Sequence, residues 1–241
     1  FSPLDAGFKG GISVAAADLD GNAHADNIIV GSGPGTDSRV TVFSSTLPTL
    51  GATPEVFSTF TPYPGSRSGV TLATGTVDVG TGRPSIVTAP GPGEPARIKT
   101  FRYDLYAPTE AARARGGTTD PGRDPAMTVE FDAYDPAYTG GVSLSTGWVA
   151  GAEGGAQSVI TGQLTGPGEV RVWSTGSRLD GGPAMYLHSP EHHAAMTEFA
   201  QIASFTPFPA QAGVRVATSS TTTGADLIVS GMGPGGSEVR K

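Results

Sequence analysis

The sequence predicts an all-β fold, and three observations carry that prediction. Glycine and proline take 36 and 20 of the 241 positions, so turns must be frequent. Between the turns lie short β-branched or alternating runs such as Arg39-Val40-Thr41-Val42-Phe43, the pattern of half-buried strands. The glycines recur in register with those runs, which a disordered Gly/Pro-rich chain does not show.

The elements follow one another in four similar units. The first, "FSPLDAGFKGGISVAAADLDGNAHADNIIVGSGPGTDSRVTVF", runs from Phe1 to Phe43, and the second, "FTPYPGSRSGVTLATGTVDVGTGRPSIVTAPGPGEPARIKTF", from Phe60 to Phe101. The third, "FDAYDPAYTGGVSLSTGWVAGAEGGAQSVITGQLTGPGEVRVW", runs from Phe131 to Trp173, and the fourth, "FTPFPAQAGVRVATSSTTTGADLIVSGMGPGGSEVRK", from Phe205 to Lys241. Gly11, Gly69, Gly141 and Gly213 align them. In each, an aromatic-Pro/Asp segment leads to a strand, then a polar loop, an Ile/Val-rich strand, a glycine-rich turn and an alternating strand.

Repetition of this length, with about four antiparallel strands per unit, predicts the blades of a β-propeller. One domain over 1–241 is expected, with blade units at about 1–59, 60–130, 131–204 and 205–241 and insertions at 102–128 and 174–200. Four blades make the smallest closed propeller. The ring therefore either closes at four or belongs to a larger propeller, completed by further blades or a neighbouring subunit. The fourth unit stops one residue short of the aromatic that Trp173 provides in the third, and the chain opens at Phe1 without Met. Both features fit a processed or excised segment of a longer polypeptide.

Composition narrows the function classes. The formal net charge of −7 repels nucleic acid. No apolar run approaches the roughly 20 residues that span a bilayer, and with no cysteine there is neither a disulfide framework, a thiolate metal site nor a cysteine nucleophile. Catalytic signatures are also missing: no G-x-S-x-G, H-E-x-x-H or Walker loop occurs.

One stretch carries candidate chemistry. In "DLDGNAHAD", residues 18–26, the side chains of Asp18, Asp20, Asn22 and Asp26 stand at positions 1, 3, 5 and 9, with the His24 carbonyl at position 7. That is an oxygen-only donor set suited to a hard cation such as calcium, which takes six to eight oxygens at about 2.3–2.6 Å. The competing reading is a polar turn made by Asx residues and Gly21. The other units supply an internal control. Their equivalent positions are Thr76, Asp78, Gly80 and Pro84 in the second, and Trp148, Ala150, Ala152 and Gln157 in the third. The shortened loop of the fourth has Ser220, Thr222 and Asp226. Three units make their turns without the acidic set, which favours a metal role in the first.

These units resemble the FG-GAP repeats of integrin-α-like β-propellers, in the bacterial form that reads roughly F-x-P-[FY]…GGVxVAxGDxNGDGxxDIIVGxGxGG…VxVF. The likeness covers all four units. It implies a calcium-binding loop between the first two strands of a blade, where residues 18–26 fall, and one structural Ca2+ in the first blade. Ala23 departs from the glycine the family has at loop position 6. The resemblance further implies a non-catalytic, extracellular or cell-envelope module for protein interaction or adhesion. The alternatives are a carbohydrate-binding module and an accessory domain of a secreted hydrolase or lyase. The partner is a protein or a polysaccharide.

The remaining constellations are weaker. Gly231, Gly233 and Gly236 match G-x-G-x-x-G, but the strand-like "SEVRK" follows where a helix is needed. "HSPEHH" at 188–193 gathers His188, His192, His193 and Glu191, with Ser189 and Pro190 placed to start a short helix through "PEHHAAMTEFAQ"; a polar surface helix is the simpler reading, a zinc site or a proton-transfer role the others. Arg113, Arg115 and Arg123 form the main positive cluster, in an inter-blade loop. Phe1, Phe60, Phe131 and Phe205 occupy equivalent positions and are expected in the core between blades. Tyr103, Tyr106, Tyr138 and Trp148 are the candidates for a sugar site, and Asp132 with Asp135 reads as part of the blade framework.

Overall fold

The computed structural model describes residues 3–4, 7–19, 27–44, 53–78, 83–103, 125–149, 156–175, 199–208, 213–221, 224–233, 236 and 238–241. Phe1, Asp20, Asn22, His24, Asp26, Tyr106, the arginines 113, 115 and 123 and the histidine cluster 188–193 lie outside the described residues.

Fifteen strands and no helix make up the described part, arranged as four blades of a β-propeller. The first blade contains β1 (Ile12–Ala17), β2 (Asn27–Ser32), β3 (Val40–Phe43) and β4 (Val56–Phe60). The second contains β5 (Val70–Gly75), β6 (Ser85–Pro90), β7 (Arg97–Arg102) and β8 (Ala126–Asp132). The third is β9 (Val142–Gly147), β10 (Ser158–Gln163), β11 (Val170–Thr175) and β12 (Phe199–Phe205), and the fourth β13 (Val214–Ser219), β14 (Leu227–Met232) and β15 (Val239–Arg240). Within each blade consecutive strands pair antiparallel. Among the described residues no helix is long and apolar enough to cross a membrane.

Each blade repeats the same register. Ala17 pairs with Asn27, Gly75 with Ser85, Gly147 with Ser158 and Ser219 with Leu227. These pairs set the equivalences between blades. They agree with the alignment of the loops read from the sequence.

The second strands are the apolar runs "NIIVGS", "SIVTAP" and "SVITGQ", because a blade inside the array is covered on both faces. All six residues of β6 and of β10 are buried. Ile86 joins a cluster with Ile29, Val40 and Val42 of the first blade, while its neighbour Val87 joins one with Val142 and Leu144 of the third. Ile160, Val170 and Val172 then pack on Val214 and Val216. Each such side chain contributes on the order of 1.5–3 kcal/mol by leaving water, so the core is a series of joints between blades. Phe60 packs on Phe101 at 4.8 Å and Phe131 on Trp173 at 4.8 Å, as expected for core aromatics. Phe205 differs, with 41% of its surface exposed.

Two expectations are revised. Phe60, Phe131 and Phe205 lie on β4, β8 and β12, the outer strands of the preceding blades. The structural blades therefore end one or two residues later than the sequence units at about 1–59, 60–130 and 131–204. Phe199, Ala200 and Gln201, the end of the stretch read as a short helix, belong to β12 and pair with β11. The ladder of the third blade needed a fourth strand, and that demand outweighed local helix propensity.

The anchor glycines have a steric reason. Gly69, Gly141 and Gly213 have φ of +88°, +82° and +68°, a region side chains avoid. A Cβ on Gly69 would sit 2.8 Å from Gly33 C, and one on Gly141 2.8 Å from Pro92 Cγ, both in the turn of the preceding blade.

Candidate functional site

The acidic loop of the first blade leaves β1 through Asp18, which is half-buried, and Leu19, which is buried in the joint to the second blade. Asn27, at the loop's return, turns its carboxamide inward, and Leu19 N donates to Asn27 Oδ1 at 2.8 Å. The base of the loop is thereby fixed. Asn27 thus serves the loop's base, while the side chains that the sequence nominates for a cation are Asp18, Asp20, Asn22 and Asp26. Of these only Asp18 is among the described residues, and no group of three or more His, Asp or Glu side chains comes together among them.

In the second blade the same station is occupied differently. Asp78, equivalent to Asp20, is 2% exposed. Ser85 Oγ donates to Asp78 Oδ2 at 2.6 Å, Thr128 Oγ1 lies 3.4 Å from both carboxylate oxygens, and Arg102 Nη1 lies 3.6 Å from Oδ2. A buried carboxylate is tolerated only when paired and hydrogen-bonded, and here the guanidinium supplies the positive charge. By register, the first blade has Asn27, Phe57 and Ser44 where the second has Ser85, Thr128 and Arg102. No cationic side chain stands at those positions.

Loop position 9 does other work. Gln157 N donates to Thr76 O at 2.7 Å and Thr76 N to Gln157 Oε1 at 2.8 Å, clasping the third blade to the second. Asp226 N donates to Trp148 O at 2.5 Å and Trp148 N to Asp226 Oδ2 at 2.8 Å, clasping the fourth to the third. The second blade has Pro84 there, without an N–H. These roles, and that of Arg102, were not anticipated; the spacing of Gln157 and Asp226 was visible, but their partners lie about a blade's length away in the chain.

The remaining candidates are in separate settings. Tyr103 is buried beside Phe57, with ring centroids 5.3 Å apart. Tyr138 OH donates to Gly141 O at 2.7 Å, and its ring lies against Tyr134. Trp148 is 42% exposed at the exit of the third blade's first strand. Asp132 pairs with Arg97 at 3.2 Å, and that hydrogen bond holds the guanidinium pKa above its ordinary value. Asp135 Oδ1 accepts from Ala137 N at 2.8 Å within a turn. Together Arg97, Glu130, Phe131 and Asp132 line a shallow depression of about 170 Å³. Gly231 lies in β14, and β15 follows, so the glycine triplet does not open a helix.

Tyr63 and Tyr134 repeat a third motif. Tyr63 OH donates to Arg97 O at 2.8 Å and lies 3.0 Å from Thr88 Oγ1; Tyr134 OH donates to Glu169 O at 2.9 Å. Burial pushes both hydroxyl pKa values well above the usual tyrosine range, because a phenolate would be desolvated there. Lys99 lies 5.1 Å from the Tyr63 ring centroid and Arg171 4.8 Å from that of Tyr134. Their polar atoms serve the scaffold.

A scan of the chain against protein-family models finds no match, and a search among curated proteins finds no significant one.

Proposed function

We propose that this chain is a calcium-supported β-propeller that acts by binding rather than catalysis, as an extracellular interaction or adhesion module of the FG-GAP kind. The carrying observation is the comparison of two equivalent stations. In the second blade the carboxylate of Asp78 has Arg102 as its cation. In the first blade, three aspartates gather in one short loop while the Arg102 position holds Ser44. A divalent cation relieves their mutual repulsion and ties the loop to its blade. The scaffold roles of Asp78, Asp132, Tyr63 and Tyr134 support a non-catalytic reading, since Asp78 and Asp132 are engaged with side chains of their own blade and the two tyrosine hydroxyls with the main chain of the blade that follows them. The exposed ring of Trp148 is what favours the second reading, a carbohydrate-binding module.

The test is thermal unfolding of chelator-treated protein with and without added calcium, paired with an array of glycans and extracellular proteins probed in both states. Calcium should raise the unfolding midpoint of the parent protein and leave Asp20→Asn unchanged. A midpoint indifferent to calcium rejects the metal. Glycan signals without protein signals would move the assignment to the second reading.

A further inference from the structure

Equivalent positions on the outer half of the blades carry opposite charges that pair. In the second blade Arg97 lies 3.2 Å from both Asp132 and Glu130 of β8, and Lys99 lies 3.4 Å from Glu130. In the third, Arg171 Nε is 2.9 Å from Glu169, and in the fourth, Arg240 Nε is 2.6 Å from Glu238. The first blade breaks the pattern. By register Arg39 stands where Arg97 does and Thr41 where Lys99 does, while Thr59 and Thr61 take the places of Glu130 and Asp132.

Arg39 thus carries a charge at a station whose own strands supply no counter-charge. Its main chain is fixed, because Arg39 N donates to Ser32 Oγ at 2.9 Å and Ser32 N donates to Arg39 O at 2.9 Å. Its Nε is buried and meets no hydrogen-bond acceptor among the described residues. A donor withdrawn from water without a partner costs free energy, the more so on a charged group. Thr59 and Thr61 are exposed, so their hydroxyls are open to a ligand. The station also lies clear of the joints between blades. Arg97 belongs to a blade packed on both sides, β5 against β1 and β9 against β5, and its side chain is still 50% exposed.

We propose that Arg39, with Thr59 and Thr61 beside it, is a carboxylate-binding site on the outer rim of the first blade, and that its occupant is an extended acidic segment of a partner protein. This rests on the interaction reading above and names a partner chemistry for it, independently of the metal. The second blade shows what fits: its guanidinium takes two carboxylates that stand two residues apart on one strand, Glu130 and Asp132. A partner segment with that spacing brings what the threonines lack, and the planar guanidinium fork matches a carboxylate. The chain's net charge of −7 opposes such a partner only weakly, because exposed charges more than about 8 Å apart are largely screened at physiological salt. Added salt weakens the contact itself for the same reason.

Titration of the 241-residue chain with an alternating Glu-Thr peptide tests this, followed by the nitrogen-15 NMR signal of Arg39 Nε–H, with an alternating Gln-Thr peptide as control. The Glu-Thr peptide should move that signal and the control should not. Arg39→Gln should weaken peptide binding about tenfold or more. Thr61→Asp places a carboxylate opposite Arg39, as Asp132 stands opposite Arg97, and should close the site while the circular dichroism spectrum stays that of the parent. An unmoved signal, undiminished binding by Arg39→Gln, or an oligogalacturonate that binds more tightly than the peptide would overturn the proposal, the last by handing the site to an acidic polysaccharide. Protein-array signals that all persist in Arg39→Gln would overturn this site and leave the interaction reading intact.

Discussion

Gln157 holds Thr76 by both main-chain groups of that residue, accepting from its nitrogen with Oε1 at 2.8 Å and donating to its oxygen from the main chain at 2.7 Å. Asp226 does the same to Trp148. Asp226→Ala should cost about 1–2 kcal/mol of unfolding free energy, since it leaves the Trp148 N–H without its charged acceptor. Asp226→Asn keeps an acceptor oxygen and should cost less. Urea unfolding of the two variants is the measurement, and equal losses would count against the clasp.

The anchor glycines should not be equivalent. Gly213→Ala would drive a methyl onto the carbonyl oxygen of Leu164 in the third blade and should lose about 3 kcal/mol or more, combining the clash with the left-handed backbone. Gly11→Ala meets no neighbour and should lose only the backbone term, about 1–2 kcal/mol. Comparing unfolding midpoints of the two proteins decides the matter.

Arg102→Met should take the guanidinium away from the buried Asp78 carboxylate. The loss should be about 2 kcal/mol, below that of a fully enclosed pair because the Arg102 side chain is 28% exposed. Adding Asp78→Asn removes the buried charge and should recover part of that loss. A double-mutant cycle with no coupling would argue that the guanidinium is not the partner of this carboxylate.

The buried tyrosines predict an alkaline limit. Folded-state values raised for Tyr63 and Tyr134 mean that the native protein keeps protons which the unfolded chain releases above about pH 10. Stability attributable to them is complete below that pH and falls as pH rises toward the folded-state values. Ultraviolet titration of the phenols should show at least two of the 6 tyrosines, Tyr63 and Tyr134, ionising only with unfolding. Early ionisation of all six would contradict their burial.

Much of this fold was legible because its period was written in glycine. Gly69 and Gly141 are required by the turn of the preceding blade, so they persist where side chains drift. The outer strands were harder to place. "VFSTF", "AMTVEFD" and "FAQIASF" are partly exposed edges, with little pressure for a common pattern, and a repeat has no natural starting point until pairing assigns Phe60 to β4. The station around Asp78 was half legible: the carboxylate stood out in the alignment, but Arg102 and Thr128 reach it only through sheet pairing. Loop position 9 was read solely as a metal ligand in Asp26, whereas its counterparts Gln157 and Asp226 join blades. Gly75 and Gly147 leave room for those two side chains; Ala17, in the blade facing Pro84, does not need to.

Thr74, Thr146 and Thr218 donate to Ala16 O, Thr74 O and Thr146 O of the preceding blade at 2.9, 2.6 and 2.6 Å, and this threonine ladder has a bearing on how such an array can change over time. Every hydroxyl in it addresses a main-chain oxygen, a group that any residue presents. A duplicated blade can therefore stack on its parent at once, and each can then accumulate substitutions without a matching change in its neighbour. Divergence of the four copies follows naturally from a fastener that is blind to side-chain identity.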